Sequence, residues 1–396
     1  MKSLFGYGIT AKAIAKSGGW HIFDDSFKEI TYDKYGNKLL PSSEFNPEKS
    51  TLEITSPGIP PSHPLITKAK NLISEFDYFY EDSPFQIWIT GTNGKTTTTQ
   101  MTYHLLKEKG ADIGGNIGIP LAEMKKNANF WVVEASSFQL HYTKYAKPNI
   151  FIILPLNEDH TSWHGSFEEY INAKLSPLER MTERDIVIMP KNLDRETAAF
   201  KITYENEKDL VSYFGLENLE FEVPFLLDEI LAKAVYKILF LKEKKLENFK
   251  IDPHKLEKIT DKKGRTWIDD SKATNVDAAL NALIRYKNKK IYLILGGDDK
   301  GQDFTPLFKY MQNLNIELFI IGKNTEIFTN LAKKYKINCF KSDTLENAVR
   351  QIDRLHNKKS VALLSPACAS FDQFSGYKER GEKFKFYIKN LQKRSH

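Results

Sequence analysis

The stretch Ile89–Gln100, ITGTNGKTTTTQ, decides the fold. An apolar run from Gln86 (QIWIT) leads into it as a strand, and Gly91-Thr92-Asn93-Gly94 turns the chain. A helix-compatible run continues to Lys109, with Gly110 as the expected stop. Glycines let the backbone turn its N–H groups inward, and the N-terminus of the next helix adds positive partial charge. The two together form a cradle for phosphates. In such a cradle Lys95 reaches the terminal phosphates and the Thr96 hydroxyl suits Mg²⁺. The spacing is tighter than the common G-x-x-x-x-G-K-S/T, because only two residues separate Gly91 from Gly94. A plain glycine turn beside an incidental lysine is the alternative. Against it, strand, glycines, Gly-Lys-Thr and helix stand in the order that ATP binding requires. Gly91, Thr92, Asn93, Gly94, Lys95, Thr96 and Thr97 are the expected ATP contacts. The acceptor stays open, since a kinase, a motor and a ligase need the same cradle.

Around this loop the chain alternates short apolar runs with helical segments, the pattern of parallel α/β sheets. The clearest runs are Gln86–Thr90, Phe130–Glu134, Ile150–Leu154, Ile186–Met189, Ile291–Leu295, Leu318–Ile321 and Val361–Leu364. Several are apolar at every position, as strands covered on both faces are. Breaks at Tyr80–Pro84 and at the lysine-rich Lys242–Lys250 divide the chain into 1–82, 83–249 and 250–396. At 396 residues, two or three domains fit. With 41% hydrophobic and 27% charged residues the composition is that of a globular protein. The net charge of +6 is too small for a nucleic-acid partner but helps to attract an anionic substrate. Two cysteines, Cys339 and Cys368, make no disulfide framework, which suggests a reducing cytoplasm. No apolar run approaches the ~20 residues of a membrane span. Glycines and lysines interrupt the N-terminus before a signal-peptide core forms.

Five further polar segments follow apolar runs, where open α/β sheets place ligands. They are EASSFQL from Glu134, NEDHTSWHGSFEEYINAK from Asn157 to Lys174, DDSKATN from Asp269, GGDDKGQDF from Gly296, and SPACASFDQF from Ser365. With GTNGKTTTT they resemble the Mur ligase family, the ATP-dependent amide-bond-forming enzymes of peptidoglycan precursor synthesis. EASSFQL, DDSKATN, LILGG and SPACASFDQF are similar to the branch that adds D-glutamate to UDP-N-acetylmuramoyl-L-alanine. The resemblance runs from Gly6 to the helix after Gly381. It implies an α/β chain of three domains: an N-terminal Rossmann-like UDP-binding domain, a central P-loop sheet, and a smaller Rossmann-like C-terminal domain for the amino acid.

The resemblance also implies roles. Thr96 and Glu134 would hold one Mg²⁺, and His160 and Lys174 a second, Lys174 as a carbamate formed with CO₂. Lys95, Glu134, His160 and Lys174 form the catalytic set. Asn275, Asp298 and Lys300 match further ATP contacts. Ile9, Thr10, Ser56, Pro57, Gly58, Asn116 and His160 match the UDP-sugar site, and Lys323, Ser370, Phe371 and Tyr377 the D-glutamate site. The implied partners are small molecules only, with no nucleic acid or membrane, and the chain is expected to be a monomer. Without the resemblance, Glu134 also reads as a capping or ion-paired carboxylate, and Lys174 in EEYINAK as an amphipathic surface lysine. His164 reads equally as a solvent-facing loop residue and is left off the catalytic set. Asp159 has an orienting role beside His160, and Cys368 is a packed residue.

Two departures from the family pattern stand out. The helix ending the central domain reads VPFLLDEILAKAV, without the family's His-Asn-x-x-Asn, and the motif opening the third domain reads Pro253-His254-Lys255 in place of Pro-His-Arg. Other classes compete. Gly6, Gly8 and Ala11 fit a dinucleotide G-x-G-x-x-G/A turn, with Asp24 and Asp25 at ribose distance, so an NAD-linked oxidoreductase is one alternative. A sister ligase with another amino acid and a P-loop NTPase switch are the others.

Overall fold

The computed structural model describes residues 1–299 and 301–391. The chain divides into two compact units, Met1–Phe249 and the chain from Lys250 onward. It is a mixed α/β protein with three six-stranded, mainly parallel sheets.

The first unit carries two of them. One runs, in spatial order, Thr31–Tyr32, Lys38–Pro41, Trp20–Asp24, Lys2–Phe5, Leu52–Thr55 and Leu72–Ile73, parallel except for the first pair. The other is wholly parallel: Phe200–Tyr204, Ile186–Pro190, Ile150–Ile153, Phe85–Thr90, Phe130–Glu134 and Ala111–Gly115. The second unit orders its strands Glu257–Thr260, Thr266–Asp269, Ser360–Leu364, Lys290–Gly296, Ile316–Ile321 and Cys339–Asp343, with an antiparallel edge hairpin. This sheet has as many strands as the others, so it is not smaller in that sense. All seven apolar runs read from the sequence are strands.

Continuous apolarity follows from cover on both faces. Ile150–Ile153 and Ser360–Leu364 are buried at every position. Trp88, Trp131 and Phe151 fill one face of the phosphate-loop sheet with Leu140, Leu175 and Met189. The helix after the loop spans Lys95–Leu106, then tightens into a 3₁₀ turn, Lys107–Lys109, before the left-handed Gly110. Helix Leu226–Phe240 packs against it. Among the described residues no helix is long and apolar enough to cross a membrane.

Residues 74–79 tie the first two sheets into one unit. Ser74 and Asp77 form a reciprocal cap on the helix Glu75–Phe79. The buried Asp77 carboxylate also accepts the backbone N–H groups of Lys144, Tyr145 and Ala146, each at 2.9 Å. Buried Glu75 accepts from Gln139 Nε2 at 2.9 Å, and Gln139 in turn caps the helix Ser137–Tyr142. Removing Asp77 leaves several buried N–H groups without acceptors, at roughly 1–3 kcal/mol each. Asp77→Ala is therefore expected to lose about 3 kcal/mol or more of stability in urea unfolding, whereas Lys126→Ala, an exposed ion-pair partner of Asp82, loses under about 1 kcal/mol.

Candidate active site

Strand Phe85–Thr90 lies between Ile150–Ile153 and Phe130–Glu134, so Gly91, Ala135 and Leu154 leave the same end of the sheet. From this strand the chain crosses to the edge strand Ala111–Gly115 and later returns on the opposite side, so strand order reverses here. Ligands of open α/β sheets bind outside the strand carboxyl ends at such a reversal.

The glycine loop is held rigidly. Gly94 stands at φ +83° before the helix, and a Cβ there would lie 2.6 Å from Asp228 Oδ1. That same oxygen accepts from Thr98 Oγ1 at 2.6 Å. Thr92 Oγ1 is within 2.8 Å of Tyr170 Oη and accepts from Asn157 N at 2.9 Å, which fastens the loop to the chain after Ile153. Lys95 Nζ donates to the carbonyls of Gly91 (2.9 Å) and Thr92 (2.8 Å). Thr96 and Asn93 are half-buried beside it, and Thr97 is buried.

Glu134 ends its strand at 3% exposure. Its Oε1 accepts from Asn116 Nδ2 at 2.8 Å, while Oε2 is buried without a hydrogen-bond partner. Among the described residues Glu134 forms no ion pair, and its hydrogen-bond partner is an amide. A buried carboxylate oxygen left over in this way fits a hard divalent cation, for which Thr96 offers a hydroxyl in the first turn after the loop.

Lys174 lies in the helix Phe167–Leu175 and is 1% exposed, which removes the surface-lysine reading. Its Nζ donates to Gly91 O (2.8 Å) and Thr90 Oγ1 (3.2 Å) and sits 4.9 Å from the Tyr170 ring centroid. Burial first, and the Lys95 charge second, hold its pKa well below the usual lysine range. Burial also lowers Lys95, with Glu134 and Asp159 opposing.

His160 is more exposed, at a left-handed φ of +55°, with Nε2 3.6 Å from Asp159 Oδ2 and its ring 4.7 Å from Phe138. His164 is not a solvent-facing loop residue. Its Nε2 is 3.0 Å from Ser137 Oγ, its Nδ1 is buried without a partner, and burial lowers its pKa to about 4.

In the first sheet, Gly6 and Gly8 lead from strand Lys2–Phe5 into helix Ile9–Ala15, as the glycine spacing predicts. Ile9 is 69% exposed and Thr10 half-buried. Gly6 packs on Ser56, whose buried hydroxyl has no hydrogen-bond partner; Pro57 and Gly58 continue that loop. Asp24 accepts from Tyr7 N (2.8 Å) and Ser26 N (2.9 Å), so the turn itself uses the acceptors that the ribose reading needs. Asp25 is engaged by Ser42 and His63.

The second unit holds the remaining candidates. Asn275 caps helix Val276–Tyr286 by accepting from Ala278 N at 2.9 Å. Asp298 bridges to Ala369 through the backbone, and its carboxylate lies 3.5 Å from Lys323 Nζ. Ser370 is buried, and Phe371 is 70% exposed. Tyr377 opens helix Tyr377–Asn390, with Lys272 Nζ 5.6 Å from its ring. Lys300 lies outside the described residues. Cys368 is packed and its thiol is pushed up by burial, which suits a structural residue. His254 of Pro253-His254-Lys255 pairs with Asp269 at 2.7 Å. The sequence reading missed Asp228 and Tyr170. An acid in the first turn of an apolar helix was the visible signal for Asp228.

Known proteins match this arrangement along the chain. Residues 89–252 fit the Mur ligase middle domain, and 254–368 the Mur ligase glutamate ligase domain. A UDP-N-acetylmuramoylalanine--D-glutamate ligase of Campylobacter jejuni is 52% identical, covering 98% of this chain and 99% of its own. The chain belongs to the Mur ligase family. A Helicobacter pylori ligase of the same description is 44% identical over the same shares. The crystal structure of the UDP-N-acetylmuramate-alanine ligase MurC from Thermotoga maritima, at 19% identity, covers 98% of each chain with a TM-score of 0.56, a likeness of Mur ligase fold.

In this Mur ligase the Lys174 amine has a testable stability signature. Its folded pKa is below its unfolded one, so between the two values the unfolded chain binds more protons and stability rises with pH. In CO₂-free buffer Lys174→Met is expected to be about 1 kcal/mol or more stabler at pH 7, with the gain shrinking towards pH 10. Thermal melts across that range check it; a gain independent of pH contradicts it.

Proposed function

We propose that the protein is an ATP-dependent ligase that adds D-glutamate to UDP-N-acetylmuramoyl-L-alanine in peptidoglycan precursor synthesis, in the cytoplasm and as a monomer. Its near-full-length identity to D-glutamate ligases carries this reading. A carboxylate is a poor electrophile, so the γ-phosphoryl group of ATP passes to a carboxylate oxygen, giving an acyl phosphate and ADP. The D-glutamate amine attacks the carbonyl carbon and loses a proton. The C–O bond to phosphate then breaks, leaving amide and phosphate. Such a reaction asks for positioning and charge neutralisation more than covalent help.

In this reading residues 1–82 hold the UDP-sugar through Ile9, Thr10 and Ser56–Gly58. Residues 83–249 hold the phosphates through Gly91–Thr97, with Lys95 at the terminal phosphate. Residues 250–396 hold D-glutamate through Lys323, Ser370, Phe371 and Tyr377, and contact ATP through Asn275, Asp298 and Lys300. Mg²⁺, when bound, supplies charge neutralisation at the phosphates and the substrate carboxylate. Thr96 and Glu134 would hold one ion, and His160 and Lys174 another. Asn116 keeps Glu134 in place through its amide nitrogen, which leaves its oxygen for the sugar–peptide part.

Neutral Lys174 is the form that reacts with CO₂: its nitrogen bonds carbon and loses a proton, leaving an anionic carbamate. That converts a cation-repelling group into an oxygen donor. Lys174→Ala is expected to cut ligation by 10²-fold or more (about 3 kcal/mol), with partial rescue by a small carboxylate. Near-normal turnover in the variant contradicts the role. An amino-acid panel with UDP-N-acetylmuramoyl-L-alanine tests the main reading. ADP and an amide product should form with D-glutamate alone. Equal turnover of L-alanine or a diamino acid points to a sister ligase, and ATP hydrolysis without any amino acid to an NTPase switch.

A further inference from the structure

One buried side chain in the second unit joins the DDSKATN turn to the SPACASFDQF loop. Arg380, in the first turn of helix Tyr377–Asn390, is 1% exposed. Its Nε donates to Ser271 Oγ at 3.0 Å, and one terminal nitrogen to the Ser271 carbonyl at 2.8 Å. Both terminal nitrogens donate to the Cys368 carbonyl at 3.1 Å. The Ser271 hydroxyl then donates to the Tyr377 carbonyl at 2.8 Å, returning to the start of the same helix. Among the described residues no carboxylate forms an ion pair with Arg380; Asp372, Asp269 and Asp270 act on it from further away. Burial lowers its pKa only to about 10, so it stays charged at neutral pH. Burying a guanidinium against neutral loop acceptors carries a desolvation cost that no ion pair offsets, and what it yields is a fixed loop geometry.

The loop is also gripped from its other side. Asp298 and Ala369 exchange two backbone hydrogen bonds of 2.9 Å. Gly297, at φ +138°, is the residue that lets them approach, since a Cβ there would collide with the Ala369 carbonyl. Ala367 is left-handed at φ +56°, a conformation that alanine adopts only under constraint. Ser370 and Phe371 come directly after this clamped segment.

We propose that Arg380 is a positioning residue for the incoming amino acid: by locking the Cys368 carbonyl to the Ser271 turn, it sets Ser370 and Phe371. The proposal rests on the reading of those two residues as amino-acid contacts. A planar fork spans both acceptors at once, whereas a lysine ammonium keeps the charge but reaches from a single point.

Arg380→Lys and Ser271→Ala test it in the full enzyme. Arg380→Lys should raise the KM for D-glutamate about ten-fold or more, with the KM for UDP-N-acetylmuramoyl-L-alanine and kcat at saturation within about two-fold. Ser271→Ala should move the same KM by less. A variant that merely unfolds loses active enzyme, so its kcat falls while KM stays put, and that result overturns the proposal. Amide hydrogen exchange gives an arm independent of substrate. In Arg380→Lys, residues 367–371 should exchange faster while strand Ser360–Leu364 is unchanged. If the parent enzyme does not use D-glutamate, the reading of the amino-acid site fails by itself. Unchanged exchange at 367–371 overturns the lock whatever the amino acid.

Discussion

Two lysine nitrogens share the carbonyl oxygen of Gly91, and much of the first unit is built to keep them there. Lys95 arrives from the helix that follows the glycine loop, and Lys174 from the helix Phe167–Leu175. Both lie within 3 Å of that oxygen, so their charges would stand at most about 6 Å apart. Two ammonium groups at that separation repel by about 3 kcal/mol even at an effective dielectric of about 20. Burial lowers the pKa of both amines, and at Lys174 the Lys95 charge lowers it further. A buried amine that gives up its proton more readily than an ordinary lysine follows from packing and Coulomb's law before any chemistry is assigned to it.

The rest of the loop is shaped by the same demand for fixed geometry. Thr92 is anchored to Tyr170 and to the backbone of Asn157, and Tyr170 lies one turn before Lys174 on the same helix. Whatever places Lys174 thus also places the loop. Asp228 accepts from Thr98 and leaves room at position 94 for glycine alone, so the helix Leu226–Phe240 supports the phosphate loop. Asp77 and Glu75, buried at the junction of the two sheets, hold the segment that carries Gln139 and hence the cap on the helix beyond Glu134.

What the sequence made legible was local. Every continuous apolar run became a strand, because cover on both faces leaves no reason to alternate, and the Gly-Lys-Thr turn fell where strand and helix meet. The first sheet was much less visible. Its strands include two of only two residues, Thr31–Tyr32 and Leu72–Ile73, and Glu53 interrupts another. Side-chain burial on helices was not legible either. EEYINAK has a surface pattern, yet Lys174 is buried because its amine end reaches the Gly91 carbonyl and the Thr90 hydroxyl, a long-range contact that periodicity does not encode. The same holds for His164, whose Ser137 partner is 27 residues away, and for Arg380, whose acceptors are two loops distant in sequence.

Several candidate site residues hold structural posts as well, and this bears on how the site works. Asn275 caps a helix with the oxygen of its amide, Asn116 steadies Glu134, and Asp298 pins Ala369 through its backbone. The Asn275 and Asn116 side chains, already fixed by such contacts, have little rotamer freedom left to lose when a ligand arrives, so their contacts cost less entropy than those of a free side chain. Phosphoryl transfer and amide formation depend on holding reactive groups in place. In this chain that holding comes from ordinary structural devices, namely caps, glycine close approaches and buried polar bonds, placed at strand ends where the reacting groups are expected.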